Sequence, residues 1–234
     1  MTELKGKTAV ITGGGTGIGA GIAKALAAEG INVVLAGRRV EKLAEVEKDI
    51  LREGAGKALS VKTDVTNRAD IESLIERAEK QFGQVDIIVN NAGHMLSSQV
   101  SAGQVDDWET MIDVNIKGVL FGINSVLPAM MERSSGHIVN VGSVAGLEVS
   151  KNSTVYSATK FAVRAISAGL EKELARTGIR VTNIAPGMVE TDLTAEYSWG
   201  DRKKLETENI ANAVIYALTQ PDHVNVNEIA VRPV

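Results

Sequence analysis

The chain has 234 residues, a length that suits one α/β domain better than two. Hydrophobic residues make up 44% and aromatics only 3%, so a core must be built from Ala, Val, Ile and Leu. A net charge of −4 leaves no basic footprint for nucleic acid, and the lack of cysteine excludes disulfides and thiolate metal sites. The opening Met1–Lys7 carries no apolar signal region, and no apolar run approaches membrane-span length. The expected location is the cytoplasm, without a membrane partner.

In chain order, Thr8–Thr12 is a β-branched run that reads as a buried parallel strand. It leads into Gly13-Gly14-Gly15-Thr16-Gly17-Ile18-Gly19 and then a helix over Gly17–Glu29, with Ile18, Ile22, Ala25 and Leu26 on one side. A strand, a glycine turn and a helix N-terminus make an anion site, because the backbone can approach a pyrophosphate and free N–H groups face it. The spacing is Gly-x-x-x-Gly-x-Gly rather than the Gly-x-Gly-x-x-Gly of longer dinucleotide-binding enzymes. A glycine cluster alone equally suits a flexible turn, and the flanking strand and helix favour the phosphate site.

The second strand, Asn32–Ala36, ends at Gly37-Arg38-Arg39, before a helix over Val40–Glu53. An acid here would hold the ribose 2′-hydroxyl of NAD, whereas two arginines offer charged forks to the 2′-phosphate of NADP. They could simply open a basic helix, but cations at a helix N-terminus oppose its dipole. The third strand, Lys57–Lys62, is followed by Asp64-Val65, where Asp64 accepts from an adenine amino group or caps the helix Arg68–Phe82. The fourth, Asp86–Asn90, opens the polar turn Asn90-Asn91-Ala92-Gly93, whose amides can tie strands together while Asn91 faces a cofactor. A helix is expected over Val105–Met131, with Asp106 as its N-cap.

The fifth strand, Gly136–Val141, delivers Gly142 and Ser143, a turn serine or a donor to a substrate oxygen. The next helix, Val155–Thr177, begins with Tyr156-Ser157-Ala158-Thr159-Lys160, so Tyr156 and Lys160 share one face. Two unit charges about 4 Å apart interact by roughly 4 kcal/mol at an effective dielectric of about 20, so a lysine beside a phenol favours its anion. Such a pair alone suits a solvated helix face; the surrounding motifs give it weight. The sixth strand, Arg180–Ala185, ends in Pro186-Gly187-Met188-Val189-Glu190-Thr191, whose backbone and Thr191 can hold a nicotinamide carboxamide. A helix over Glu206–Leu218 and a strand over Glu228–Val231 complete the chain.

This alternation implies right-handed crossovers and a doubly wound, Rossmann-type α/β domain over residues 1–234. Its seven parallel strands are expected in the order 3-2-1-4-5-6-7, with ligands beyond their carboxyl ends. His94, His137 and His223 are scattered and no cluster has ligand spacing, so no metal is expected. Met95, Leu96, Ala145, Leu147, Met188, Tyr197 and Trp199 are candidate pocket residues, with a short lid near 188–205 and His94 on its rim.

Together, Thr12–Gly19, Asn90–Gly93, Asn115, Ser143, the Tyr156…Lys160 pair and Pro186-Gly187 resemble the short-chain dehydrogenase/reductase family over essentially the whole chain. The resemblance implies that Tyr156 is the general acid for ketone reduction and the base for alcohol oxidation. It implies that Lys160 lowers the Tyr156 pKa and binds the nicotinamide ribose, and that Ser143 polarises the substrate oxygen. Asn115 would anchor a water linking Lys160 to solvent. The implied cofactor is NADP, held by Gly13, Gly15, Thr16, Gly17, Ile18, Gly19, Arg38, Arg39, Asp64, Val65, Asn91, Ala92, Gly93, Tyr156, Lys160, Pro186, Gly187, Val189 and Thr191. The ending Asn225–Pro233 resembles the branch of NADP-dependent 3-hydroxy acid and serine dehydrogenases. The alternatives are a general ketone or aldehyde reductase and, in another class, a non-catalytic dinucleotide-binding regulator. Small residues such as Ala162, Ala165, Ala168 and Gly169 suit close helix packing between subunits, so a homotetramer, or a homodimer, is expected.

Overall fold

The computed structural model describes residues 4–54, 56–195 and 203–234. Tyr197, Trp199 and part of the expected lid lie outside them. Seven strands form one parallel sheet: β1 Thr8–Thr12, β2 Asn32–Gly37, β3 Ala58–Lys62, β4 Ile87–Asn90, β5 Gly136–Val141, β6 Ile179–Pro186 and β7 Glu228–Val231. Their order is β3-β2-β1-β4-β5-β6-β7, as the alternation of segments predicts. The central strands are apolar at nearly every position because helices cover both faces.

Successive side chains of a strand point to opposite faces. Ala9 and Ile11 therefore join a core with Ile22 and Leu26 of α1 (Gly17–Ala28), Leu43 of α2 (Val40–Glu53) and Val214 of α7 (Thr207–Leu218). Val10 faces the opposite core. It packs there with Leu74 of α3 (Arg68–Phe82), Ile123 of α5 (Gly118–Glu132) and Val163 of α6 (Thr154–Glu173).

Four expectations need correction. The helix expected over Val105–Met131 is α4, Val105–Ile112, then a π-helical turn over Asp113–Lys117, then α5. Asp106 is not the cap of α4. Gln104 occupies that position, and Asp106 sits with Asp107 in the first turn, where both complement the helix dipole. The continuous helical stretch Val105–Glu132 spans 28 residues and is, by length and composition, apolar enough to cross a membrane, contrary to the sequence expectation. Its buried residues, including Met111, Val119, Ile123, Val126 and Met130, face the protein core. Helix α6 stops at Glu173, short of the expected Thr177, because Arg176 and Gly178 adopt φ of 68° and 82° and turn the chain into β6. A Cβ on Gly178 would lie 2.0 Å from the Ser134 carbonyl oxygen.

The end of the sheet away from the glycine turn carries a buried histidine. His137 Nε2 lies 2.8 Å from Thr182 Oγ1, and Nδ1 has no partner among the described residues. Burial, with Arg180 and Lys7 adding to it, holds this imidazole well below its ordinary pKa of 6.5. Arg180 is itself fixed by the carbonyls of Leu218 and Gln220 at the end of α7.

Below pH 6.5 the unfolded chain therefore takes up a proton that the folded chain refuses, and stability falls as pH falls. His137→Gln should reduce that acid slope by up to about 1.4 kcal/mol per pH unit. Urea midpoints of both proteins on descending from pH 6.5 measure it, and parallel slopes would show that His137 does not titrate on unfolding.

Candidate active site

The carboxyl ends of β1, β4, β5 and β6 surround a cleft of about 1030 Å³. One wall is the glycine turn. Gly13 and Gly17 have φ of 66° and 53°, conformations that side chains rarely adopt. A Cβ on Gly13 would also lie 2.8 Å from Asn91 Nδ2. Gly19 does not line the cleft; it packs against Gly13 and Asn91, where a Cβ would come within 2.2 Å of the Gly13 carbonyl oxygen. Thr16 is the N-cap of α1 but makes no side-chain cap, and the first turn carries no carboxylate. The helix N-terminus thus has no competing anion of its own.

Gly15, Thr16, Gly17 and Ile18 line the cleft with Gly37, Arg38, Arg39, Lys42, Asp64 and Val65. Arg39 donates from Nη2 to Thr16 Oγ1 at 2.9 Å, joining the start of α2 to the glycine turn. A Cβ on Gly37 would meet only Leu43 Cδ2 at 3.5 Å, so the position is open and uncharged. Asp64 does not cap α3; Asn67 does, accepting from the Ala69 N–H at 2.9 Å. Asp64 instead accepts from the N–H and hydroxyl of Thr66. The backbone bond first, then the hydroxyl and nearby Arg38, holds its carboxyl below the ordinary range against the effect of burial.

At the floor, Asn91 Nδ2 donates to Thr12 O at 2.9 Å and Gly13 O at 3.3 Å. The backbone N–H groups of Asn91 and Ala92 both donate to Thr12 Oγ1. Asn91, Ala92 and Gly93 line the cleft, followed by His94, Met95 and Ser97.

The opposite wall brings Ser143, Tyr156 and Lys160 together. Ser143 Oγ accepts from Ala145 N–H at 3.1 Å, so the serine caps a short turn while its side chain faces the cleft. Lys160 Nζ is 5.9 Å from the centre of the Tyr156 ring and donates to Val141 O at 2.9 Å. That carbonyl is its one acceptor among the described residues. Burial alone lowers its pKa to about 8. Asn115 lies in the π-helical turn behind the wall, buried and outside the lining. Its Oδ1 accepts from His94 N–H at 2.7 Å, and its Nδ2 donates to His94 O at 2.9 Å and Thr159 Oγ1 at 3.0 Å. These contacts use both Nδ2 hydrogens and one lone pair of Oδ1.

Pro186, Gly187, Met188, Val189 and Thr191 close the remaining side. Of the other expected pocket residues, Met95, Ala145 and Met188 line the cleft, whereas Leu96 and Leu147 do not. Sequence reasoning missed Lys42, Thr12 and Lys151. Lys42 lies in the first turn of α2, directly after Arg38 and Arg39, and that position could have revealed it. Thr12 reads as ordinary β-branched strand, and Lys151 sits in a loop with no periodicity.

A model of the short chain dehydrogenase family matches residues 7–201. Proteins of Staphylococcus saprophyticus and Staphylococcus aureus strain MW2, each called an uncharacterized oxidoreductase, are 55% and 56% identical over all 234 residues of both chains. A closed form of serine dehydrogenase complexed with NADP+ superposes with a TM-score of 0.89 at 36% identity, covering 96% of this chain and 94% of that one. Serine dehydrogenase from Escherichia coli gives 0.85 at 37%, covering 96% of each. An alcohol dehydrogenase from Thermococcus sibiricus, complexed with 5-hydroxy-NADP, gives 0.90 at 28%, covering 97% of each.

The buried lysine makes the site costly in the absence of a ligand. Lys160 titrates near 8 when folded and near 10.5 when unfolded, so between these values the unfolded chain binds more protons and stability rises with pH. Below pH 8 the buried charge costs roughly 3 kcal/mol. Lys160→Met should therefore raise the Tm of the ligand-free protein near neutral pH and remove this rise with pH. Calorimetry across pH 7 to 10.5 checks it, and a lower Tm in the variant would contradict it.

Proposed function

The chain belongs to the short-chain dehydrogenase family, and we propose that it interconverts a carbonyl and a secondary alcohol with NADP(H). The observation that carries this reading is the convergence of Ser143, Tyr156 and Lys160 in one cleft that continues to Arg38 and Arg39. The residues fit the cofactor. A helix N-terminus free of carboxylates suits the pyrophosphate, and Arg38, Arg39 and Lys42 suit a 2′-phosphate. The Lys160 ammonium has donors left for ribose hydroxyls. Asp64, Val65, Asn91, Ala92, Gly93, Pro186, Gly187, Val189 and Thr191 complete the proposed contacts.

The bound nicotinamide supplies hydride chemistry. In reduction, Ser143 donates to the substrate oxygen and Tyr156 delivers the proton; in oxidation Tyr156 removes it. Lys160, held by Val141 O, supplies positive charge close to the phenol. Asn115 braces this wall through His94 and Thr159.

A 3-hydroxy acid is the favoured substrate class within this reading. Lys151, on the lining beyond Ser143, supplies a cation for a carboxylate, beside Ser150 and Ser153. The structural neighbours named serine dehydrogenase add to this reading. Met95, Val144, Met188 and Leu193 suit a general ketone or aldehyde reductase instead. The proposed setting is the cytoplasm, and the proposed assembly is a homotetramer. Ala165, Ala168 and Phe161 are exposed on α6, and Ile112 of α4 and Leu120 of α5 are further exposed apolar side chains.

Tyr156→Phe should lower turnover by about 10²–10⁴-fold while NADPH fluorescence still reports binding. A panel of L-serine, 3-hydroxypropanoate and 3-hydroxybutanoate with NADP+, and ethyl acetoacetate and benzaldehyde with NADPH, separates the substrate classes. Retention of more than about a tenth of the rate, with chemistry limiting, would remove Tyr156 from the proposed role. Arg38→Ala should raise KM for NADPH about ten- to several-hundredfold and leave KM for NADH nearly unchanged. An unmutated protein that prefers NADH would sink the cofactor reading. Light scattering should give four times the 24.8 kDa chain mass, and a stable monomer at micromolar concentration would contradict the assembly.

A further inference from the structure

The sheet carries a row of polar side chains through its core. Asn90 of β4, Asn140 of β5, Asn183 of β6 and Glu228 of β7 are successive register partners. Partners in a parallel sheet point to the same face, here the face covered by α5 and α6. Asn90 Nδ2 donates to Asn140 Oδ1 at 2.9 Å, and Asn183 Nδ2 donates to Glu228 Oε2 at 3.1 Å. The three asparagines are 2%, 0% and 3% exposed, so they are polar groups placed where apolar ones would pack. Asn90 Oδ1 and Asn183 Oδ1 have no partner among the described residues. A Cβ on Gly122 would lie 2.2 Å from Asn90 Oδ1, so α5 presents a glycine where the row begins.

Helix α6 grips this row at two points. Asn140 Nδ2 donates to Ser167 Oγ at 2.9 Å, and Ser167 is buried. Arg164 meets Glu228 with a two-pronged contact, Nε to Oε2 at 2.7 Å and Nη2 to Oε1 at 3.1 Å. Nearer the cleft, Lys160 Nζ donates to Val141 O, and Val163, Ile166 and Leu170 make apolar contacts with the same face. Apolar contact is non-directional and tolerates a helix that slides or rotates by a fraction of an ångström. Two hydrogen-bonded clamps on different strands do not.

Resting on the reading of Tyr156 and Lys160 given above, we propose that Ser167 and Arg164 are positioning residues that fix the height and rotation of α6 through the polar row. They thereby set where Tyr156 and Lys160 stand at the carboxyl edge of the sheet. Arg164 is one helical turn beyond Lys160 and Ser167 about two, or ~6 and ~10 Å along the axis. Neither residue lines the cleft. Their effect travels along a continuous helix, and small displacements of catalytic groups cost disproportionately in rate.

Ser167→Ala, Arg164→Lys and the cycle Arg164→Met with Glu228→Gln test the proposal. Single-turnover rates would use NADPH and the fastest carbonyl probe of the panel above, with NADPH affinity, Tm and the pH profile measured alongside. The expected result is a fall of about tenfold or more in rate for folded Ser167→Ala, NADPH affinity within about threefold of the parent, and a displaced pH midpoint. Arg164→Lys, which keeps the charge and loses the fork, should fall between parent and Arg164→Met. A lower Tm with unchanged rate and pH midpoint would make the clamps mere staples and overturn the proposal. So would a proportional loss of rate and NADPH affinity. If Ser167→Ala does not fold, Arg164→Lys decides by the same criteria. Tyr156→Phe separates the two ideas: an active Phe variant, or a parent inert with every probe, removes both. An inert Phe variant beside fully active α6 variants removes the positioning role alone.

Discussion

Strands β1 and β4 lie side by side, yet the chain leaves them for opposite faces of the sheet. After β1 it enters α1, which packs with Ile11 and Leu35; after β4 it reaches α5, which packs with Val10 and Ile88. Divergent exits at adjacent strands leave a crevice, and ligands of such sheets bind there. Everything at the site depends on holding that gap at a fixed width. Asn91 does so by donating to Thr12 O and Gly13 O, while Thr12 Oγ1 accepts from two backbone N–H groups of the other lip. The glycine at position 13 follows, since a side chain there would strike the bridging amide.

Two costly features of the protein, Lys160 and the asparagine row, lie on the same side of the sheet. Lys160 is buried with one acceptor among the described residues, and the asparagine row interrupts an otherwise apolar face. Neither helps the ligand-free chain fold; a lysine pushed down to about 8 reports a charge the core disfavours. Both make sense if the wall must offer a fixed cation to a ligand that brings hydroxyls and a phenol–substrate pair. The large apolar clusters on both faces offset this expense, with Ile, Leu and Val fully buried along β1, β2 and β4.

Most of this could be read in the sequence because a parallel sheet covered on both faces demands unbroken apolar strands, and its polar residues then collect at the strand ends. Asn90 and Ser143 stand out for that reason, and Pro186 because a proline ends β6. What escaped depends on distance in sequence or on the exact turn of a helix. The π-helical turn at Asp113–Lys117 has no local signature, since its residues favour an ordinary helix and only the contacts of Asn115 with His94 and Thr159 explain the extra residue. The cap expected at Asp106 and the cap reading of Asp64 both fail because several acidic or amide residues near each helix start qualify, and the incoming chain direction chooses among them. The Arg164–Glu228 pair joins residues 64 positions apart and no pattern announces it.

Asn115 shows how such a residue links two parts of the site. Its amide uses both ends: the oxygen takes the His94 N–H, and the nitrogen serves His94 O and Thr159 Oγ1. Thr159 Oγ1 in turn donates to the Tyr156 carbonyl at 2.7 Å. A single buried side chain therefore joins His94, which lines the cleft with Met95 and Ser97, to the first turn of the helix that carries Tyr156. An ordinary helical turn would put residue 115 at a different angle, and the amide would lose one or both partners. The extra residue of the π-helical turn rotates it into place. The His94 wall of the cleft and the helix that carries Tyr156 are thus coupled at the backbone, so displacement of one disturbs the other.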